Sequence, residues 1–154
     1  MIKKSGSIIF FLLFTLSVFA QDAAGVFLEK YGKDDNLEVI SIGKKMFGMM
    51  DDASIGDLDI KAVIDGLENI KIIKSKDANL NDDYFDSAMK TLEKSGEYQQ
   101  LKTNGNFSVL MIKENRNVVK ELVFISTDSD NGFSLISLTG NIDMDMLTKI
   151  SKKY

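Results

Sequence analysis

Three neighbouring methionines are the residues in this chain whose side chains could bind a soft metal ion. Met46, Met49 and Met50 follow one another at helical spacing. Clustered thioethers bind copper(I), whereas methionine also fills irregular gaps in hydrophobic cores. The chain contains no Cys and no His that would complete a metal site. Met46, Met49 and Met50 are therefore weak metal-ligand candidates, and a core position explains them as well.

Two acid-rich loops place oxygen atoms at alternate positions, as calcium loops do. An EF-hand loop also needs Gly at its sixth position and Glu at its twelfth. In the loop that begins at Asp77 these positions hold Asp82 and Ala88, and the loop at 128–132 fails the same template. We therefore interpret the first as a loop with a helix cap and the second as a hairpin turn.

Catalytic groups have no distinctive arrangement in this sequence. The 23 Asp and Glu residues are compatible with a glycosidase-like pair of carboxylates, but no spacing singles out a pair. Ser41-Ile42-Gly43-Lys44 has the Ser-x-x-Lys form, which a helix cap followed by a solvated lysine also explains. Glycine-rich phosphate loops are absent, and Leu138–Asp143 is interpreted as a turn and helix cap. The sequence predicts neither a catalytic residue nor a cofactor.

Missing residue types exclude much of the remaining chemistry. The chain of 154 residues has no Cys, His, Pro or Trp, so disulfides, thiolate or imidazole metal sites and Ser-His-Asp catalysis are excluded. The formal charge is −4, and Arg116 is the single arginine. Nucleic-acid binders usually carry a clustered basic surface, so we expect no nucleic-acid partner.

Hydrophobic periodicity places these residues on helices in the first half and on strands mostly in the second. The predicted helices are Ala23–Tyr31, one capped by Ser41 or Gly43 that runs to Met50, Asp57–Leu67, Asp82–Ser95 with Gly96 after its end, and one capped by Asn141 or Asp143. The predicted strands are Leu37–Ile42, Asn69–Lys76, Tyr98–Thr103, Phe107–Glu114, Val118–Ser126 and Phe133–Thr139. This segregation predicts an α+β fold with a largely antiparallel sheet. The sheet consists of a C-terminal four-strand meander plus two earlier strands, and the helices pack on one of its faces.

The first twenty residues have the features of a Sec-type signal peptide. Lys3 and Lys4 precede an apolar run at 8–20, which is short for a membrane-spanning helix, and Val18-Phe19-Ala20 forms a small-x-small-like cleavage site. We expect cleavage after Ala20, which leaves 21–154 as a single α+β domain with no transmembrane span. The expected location is the periplasm or the exterior.

Several phrases of the sequence together resemble one protein family. They are 27–31 (FLEKY), 39–42 (VISI), 45–47 (KMF), 94–98 (KSGEY) and above all 137–143 (SLTGNID). In this order they resemble domain of unknown function 4252, a family of small exported proteins of Bacteroidota. The resemblance implies an envelope protein of a Gram-negative bacterium, with a link to envelope signalling and no catalytic residues to carry over.

These observations favour a non-enzymatic binding or interaction module with an envelope protein as its partner. Two alternatives stay open. One is a carboxylate-dependent hydrolase that acts on envelope material, and the other is a methionine-based copper(I) carrier. The sequence does not indicate the oligomeric state.

Overall fold

The computed structural model describes residues 21–49, 54–55, 58–59, 61, 63–78, 81–104 and 108–151. The predicted signal peptide and Met50 lie outside these residues. The described helices are α1 (Ala23–Tyr31), α2 (Lys44–Phe47), α3 (Asn81–Ser95) and α4 (Met144–Ser151). None of these helices is long and apolar enough to cross a membrane.

Short-range interactions determine where three of the helices begin or end. The side chain of Asp22 accepts a hydrogen bond from the Gly25 amide at 2.6 Å, which caps α1. Asp143 accepts one from the Asp145 amide at 2.9 Å, as a cap of α4 does. At the end of α3, Gly96 has φ +68°, the left-handed conformation predicted for that position.

The main sheet has six antiparallel strands, and a separate pair of short strands accompanies it. The strands are β1 (Leu37–Gly43), β2 (Ser54–Ile55), β3 (Leu58–Asp59), β4 (Leu67–Ser75), β5 (Tyr98–Asn104), β6 (Ser108–Asn115), β7 (Val118–Asp128) and β8 (Gly132–Ile142). Their order in the main sheet is β1-β4-β8-β7-β6-β5, while β2 pairs with β3. The predicted α+β class, the meander and its two earlier strands are confirmed.

Both faces of the central strands of the main sheet are buried, and each carries its own hydrophobic cluster. Neighbouring residues such as Ile72 and Ile73 are both buried, and they belong to different clusters. Helices α1 and α3 cover the cluster that contains Phe27 and Phe133. Phe47 of α2 and Leu147 of α4 contribute to the opposite cluster. The expectation of helices on one face therefore holds only for α1 and α3, because a sheet with two apolar faces needs cover on both.

The predicted helix over Asp57–Leu67 is wrong. Leu58–Asp59 is extended as β3, Ile64–Gly66 is a 3₁₀ turn, and Leu67 begins β4, where it pairs with Gly140. The spacing of the apolar residues that end at Leu67 suggests a helix, but Leu67 is buried in the sheet instead. Tertiary pairing therefore decides the structure of this segment.

The turn predicted within Leu138–Asp143 is also wrong in part. Strand β8 continues to Ile142, so only the Asp143 cap of that interpretation is present. Gly140 permits this continuation, because a Cβ there would overlap the backbone of Gly66 and Leu67. The ladders on both sides of Gly140 shift register nearby, which identifies a β-bulge at this crossing.

Candidate functional site

Two of the candidate methionines, Met46 and Met49, lie close together on the surface rather than in the core. Met46 is 52% exposed and Met49 is 83% exposed. The Met49 amide donates a hydrogen bond to the Met46 carbonyl at 3.0 Å, so both belong to the turn that ends α2. Met50 lies outside the described residues. The structure therefore assigns the two described thioethers to a surface next to β1, not to a packing role.

The loop at 128–132 is held by its own hydrogen bonds. Oδ1 of Asp128 accepts from the amides of Asp130 and Asn131, and its Oδ2 accepts from the Asn131 side chain. These bonds, from Asn131 above all, lower the pKa of Asp128. Gly132 follows with φ +79°. The geometry is that of a hairpin turn, as predicted. Across the described ranges, no three Asp and Glu residues are grouped so that they could hold a metal ion.

Ser41 belongs to β1, and Lys44 is the first residue of α2. The hydroxyl of Ser41 lies 3.3 Å from Oδ1 of Asn69 on the neighbouring strand. Gly43, not Ser41, occupies the N-cap position of α2 and offers no side chain there. Both Ser41 and Lys44 are exposed. The helix-cap interpretation thus applies to Gly43.

Glu121 is a buried acid that the sequence analysis does not single out. It is 3% exposed and lies on the face of β7 that α1 covers. Its Oε1 accepts from the Ala23 amide at 2.8 Å and from the Ser137 hydroxyl at 2.6 Å. Its Oε2 accepts from the Tyr98 hydroxyl at 2.7 Å. Strand alternation is the signal that could have found it, because Glu121 shares a face with Val123 two residues later.

Burial dominates the electrostatics of this acid. Loss of solvation raises the pKa of Glu121, although the hydrogen bonds from Ser137, Tyr98 and Ala23 oppose that shift. Burial and the nearby Glu121 raise the pKa of Tyr98 as well. Next to this cluster, Lys71 Nζ lies 2.8 Å from Oδ2 of Asp22, the cap of α1. These contacts fasten the first turn of α1 to the sheet.

A groove of about 360 Å³ opens beside Glu121, lined also by Gln21, Lys113, Lys120 and Asn141. A general acid or base must reach the substrate within hydrogen-bond distance. Both oxygens of Glu121 are already engaged by protein donors. The arrangement suits a structural anchor better than acid–base chemistry.

A second groove, of about 630 Å³, lies between α1 and α3. On its floor the Tyr84 hydroxyl donates to Oδ2 of Asp34 at 2.6 Å. This bond lowers the pKa of Asp34, and burial together with Asp34 raises the pKa of Tyr84 to about 12. Tyr84 also packs against Phe27, Tyr31 and Phe133. The pair joins the α1–β1 connection to α3.

The open edge of β1 is the most distinctive surface in the described structure. Strand β1 pairs with β4 on one side and ends the sheet on the other. Val39 is 47% exposed and Ile40 is 39% exposed, although their side chains point to opposite faces. Met46 and Met49 follow directly after the strand. The β1 backbone together with the exposed apolar residues Val39, Ile40, Met46 and Met49 is named the β1 edge below.

The opposite edge of the sheet differs from the β1 edge in ways that discourage pairing. Strand β5 carries Lys102, and its ladder with β6 shifts register between Gln100 and Lys102. A bulge protects an edge from pairing with another chain. Strand β1 contains no lysine and pairs with β4 without a shift.

A family profile described as domain of unknown function DUF4252 matches residues 31–150. Because this match covers most of the sequence, the chain belongs to that family, as its sequence phrases indicate. No curated protein and no solved structure matches the chain.

Proposed function

We propose that this DUF4252 member is an exported envelope protein of a Gram-negative bacterium and acts there as a non-enzymatic binding module. Its binding surface is the β1 edge, and its partner is an envelope protein that adds an extended segment to the sheet. The signal-peptide pattern at 1–20 and the family resemblance support export, a bacterial source among the Bacteroidota and a role in envelope signalling.

The observation that carries the proposal is the open β1 edge, whose ladder with β4 has no bulge. A strand at the end of a sheet presents unpaired backbone N–H and C=O groups, and proteins usually blunt such edges. Strand addition uses these groups for affinity and alternate side chains for specificity. At β1 the backbone is available and Val39 and Ile40 provide exposed apolar side chains. At β5 a bulge makes strand addition less favourable.

Photo-crosslinking in the native cell tests the binding role. A benzoylphenylalanine residue replaces Ile40 in one strain and Leu101 in a matched control strain, because Leu101 is 40% exposed on β5. We expect a discrete covalent adduct with an envelope protein from position 40 and none from position 101. Equal adducts from both positions, or none from position 40, would refute the β1 edge as the binding surface.

Export is tested separately by fractionation and intact mass. We expect the protein in the envelope fraction, with the mass of a chain that begins at Gln21. A chain that keeps Met1 and stays in the cytoplasm would contradict the proposal.

A further inference from the structure

The hydrogen bonds of β1 identify which of its backbone groups point outward. The Lys76 amide donates to the Asn36 carbonyl at 2.7 Å, so Asn36 directs its backbone carbonyl toward β4. Backbone direction alternates along an antiparallel strand. Val39 and Ser41 therefore direct their N–H and C=O groups away from β4, toward the open side of the sheet. A strand that pairs with β1 must bond these residues.

Charge along β1 and its flanks is ordered from acidic to basic. Asp35 and Glu38 lie at the beginning of the segment, and Lys44 and Lys45 lie at its end. All four are exposed. Lys33 precedes the acids, and Lys74 lies opposite Glu38 on β4. A second strand with the same acidic-to-basic order of charges complements β1 only when it runs antiparallel to β1.

We propose that the strand that β1 binds is the β1 of a second copy of this chain, in a two-fold antiparallel arrangement; this inference rests on the proposed function of the β1 edge. Centred on Ile40, all seven residues from Leu37 to Gly43 overlap. Val39 of each copy then exchanges both backbone hydrogen bonds with Ser41 of the other. The two six-stranded sheets become one continuous sheet.

The same register also matches the side chains. Ile40 meets Ile40 of the second copy at the symmetry axis, in a pair without direct hydrogen bonds, where side chains approach most closely. Glu38 lies opposite Ile42 of the second copy, and Lys44, the first residue of α2, comes two residues after that Ile42. Lys33 lies in the turn after α1, outside the paired strands. Self-complementarity of this kind is what a two-fold interface requires.

The absence of cysteine from the chain provides a direct test. In Ile40→Cys the two thiols meet at the axis, since non-hydrogen-bonded pairs hold their Cα atoms about 4.5 Å apart, within disulfide range. Two thiols lose two electrons and two protons to an added oxidant, oxidised glutathione, and form one S–S bond. We expect a disulfide-linked homodimer from Ile40→Cys and monomer from the control Leu101→Cys.

Charge exchange tests the antiparallel order by sedimentation of the purified full-length protein and of its exported form. Glu38→Lys and Lys44→Glu should each weaken self-association several-fold, and the double variant should restore it. Ile40→Lys places like charges at the axis and should weaken it about tenfold or more. Circular dichroism confirms that each exposed substitution leaves the fold intact.

Three outcomes separate this inference from the proposed function. A dimer with the expected variant pattern supports both. In the second outcome, the protein stays monomeric up to about 1 mM, the range of weak association, and forms a position-40 adduct with another protein. This result overturns pairing with a second copy but leaves the β1 edge as a binding surface. A monomer with no adduct overturns both.

Discussion

Replacement of Glu121 tests whether a buried carboxylate holds the first helix against the sheet. Glu121→Ala removes the acceptor of three hydrogen bonds, two of them from the fully buried Ala23 amide and the nearly buried Ser137 hydroxyl. An unsatisfied buried donor costs about 1–3 kcal/mol. The Tyr98 side chain is only partly buried, so its hydroxyl adds less to this cost. We expect the free energy of unfolding to fall by about 3–4 kcal/mol.

Glu121→Gln is the matched control, because it keeps the shape of the side chain without its charge. The amide oxygen accepts from Ala23 and Ser137, and the amide NH₂ donates to the Tyr98 oxygen. Gln avoids the cost of burying a charge, so we expect the free energy of unfolding to change by less than about 1 kcal/mol at pH 7.

The difference in stability between the wild type and Glu121→Gln depends on pH in a defined direction. Burial raises the pKa of Glu121 in the folded state above its ordinary value of 4.5. The folded chain then binds the proton more tightly than the unfolded chain. Proton binding to Glu121 therefore stabilises the folded wild-type protein in full below pH 4.5. This stabilisation is lost as pH rises through the folded-state pKa. Relative to the wild type, Glu121→Gln gains stability across that window.

Urea denaturation of the three proteins, followed by circular dichroism between pH 4.5 and pH 8, measures these differences. The reasoning fails if Glu121→Gln is as damaging as Glu121→Ala, since the negative charge rather than the hydrogen-bond geometry would then hold α1. It also fails if Glu121→Ala costs less than about 1 kcal/mol, the lower end for one lost buried hydrogen bond.

Three further predictions concern the backbone and the polar contacts. Gly140→Ala should lower the free energy of unfolding by about 3 kcal/mol or prevent folding. The new Cβ would overlap backbone atoms of Gly66, which cannot move aside as a flexible side chain can. Thermal unfolding measures this loss, and a change under about 1 kcal/mol would contradict it. Tyr84→Phe should lower the melting temperature at pH 7, and the difference should shrink as acid protonates Asp34, whose pKa the Tyr84 hydroxyl lowers; a constant difference down to pH 2 would count against this contact. Arg116→Asn should raise the free energy of unfolding by about 0.5–1 kcal/mol, because Arg116 has φ +52° in a two-residue hairpin turn and asparagine tolerates that conformation better; equal or lower stability in urea would disprove the strain.

The sheet could be predicted from the sequence because its signals are local. Short apolar runs bounded by turn residues reveal β6, β7 and β8. The polar connector Asn115-Arg116-Asn117 marks the hairpin that joins β6 to β7. The two earlier strands are rich in β-branched residues. Each of these strands begins and ends within a few residues of its prediction.

What could not be predicted depends on contacts between distant segments. The spacing around Leu67 suits a helix, but its partner Gly140 belongs to the last strand. Gly140 itself looks like a turn residue until Gly66 is known to cross it. Strand alternation could place Glu121 on a buried face, but nothing in the sequence shows that Ala23 and Tyr98 donate to it.

The edge position of β1 could not be read from the sequence either. A strand rich in Val and Ile predicts burial, and only the strand order reveals that β1 ends the sheet. The exposure of Met46 and Met49 could not be predicted for the same reason, because α2 follows directly after that edge strand.

The pairing of β4 with β8 has a consequence for how the protein folds. Strands β5 to β8 join neighbours in sequence, whereas β4 and β8 meet across roughly half of the chain. Closing such a loop costs entropy before any contact offsets it. We therefore expect the meander to form first and β4, then β1, to dock on it later.

Strand β1 would accordingly be the first part of the sheet to open in the native state. Its ladder has one neighbour, and its residues 38–41 are all exposed. Hydrogen exchange should show this as amides of β1 that exchange faster than those of β4 and β8, and uniform protection would argue against it. The strand that we propose to meet a second copy is thus also the strand whose order such a partner would increase.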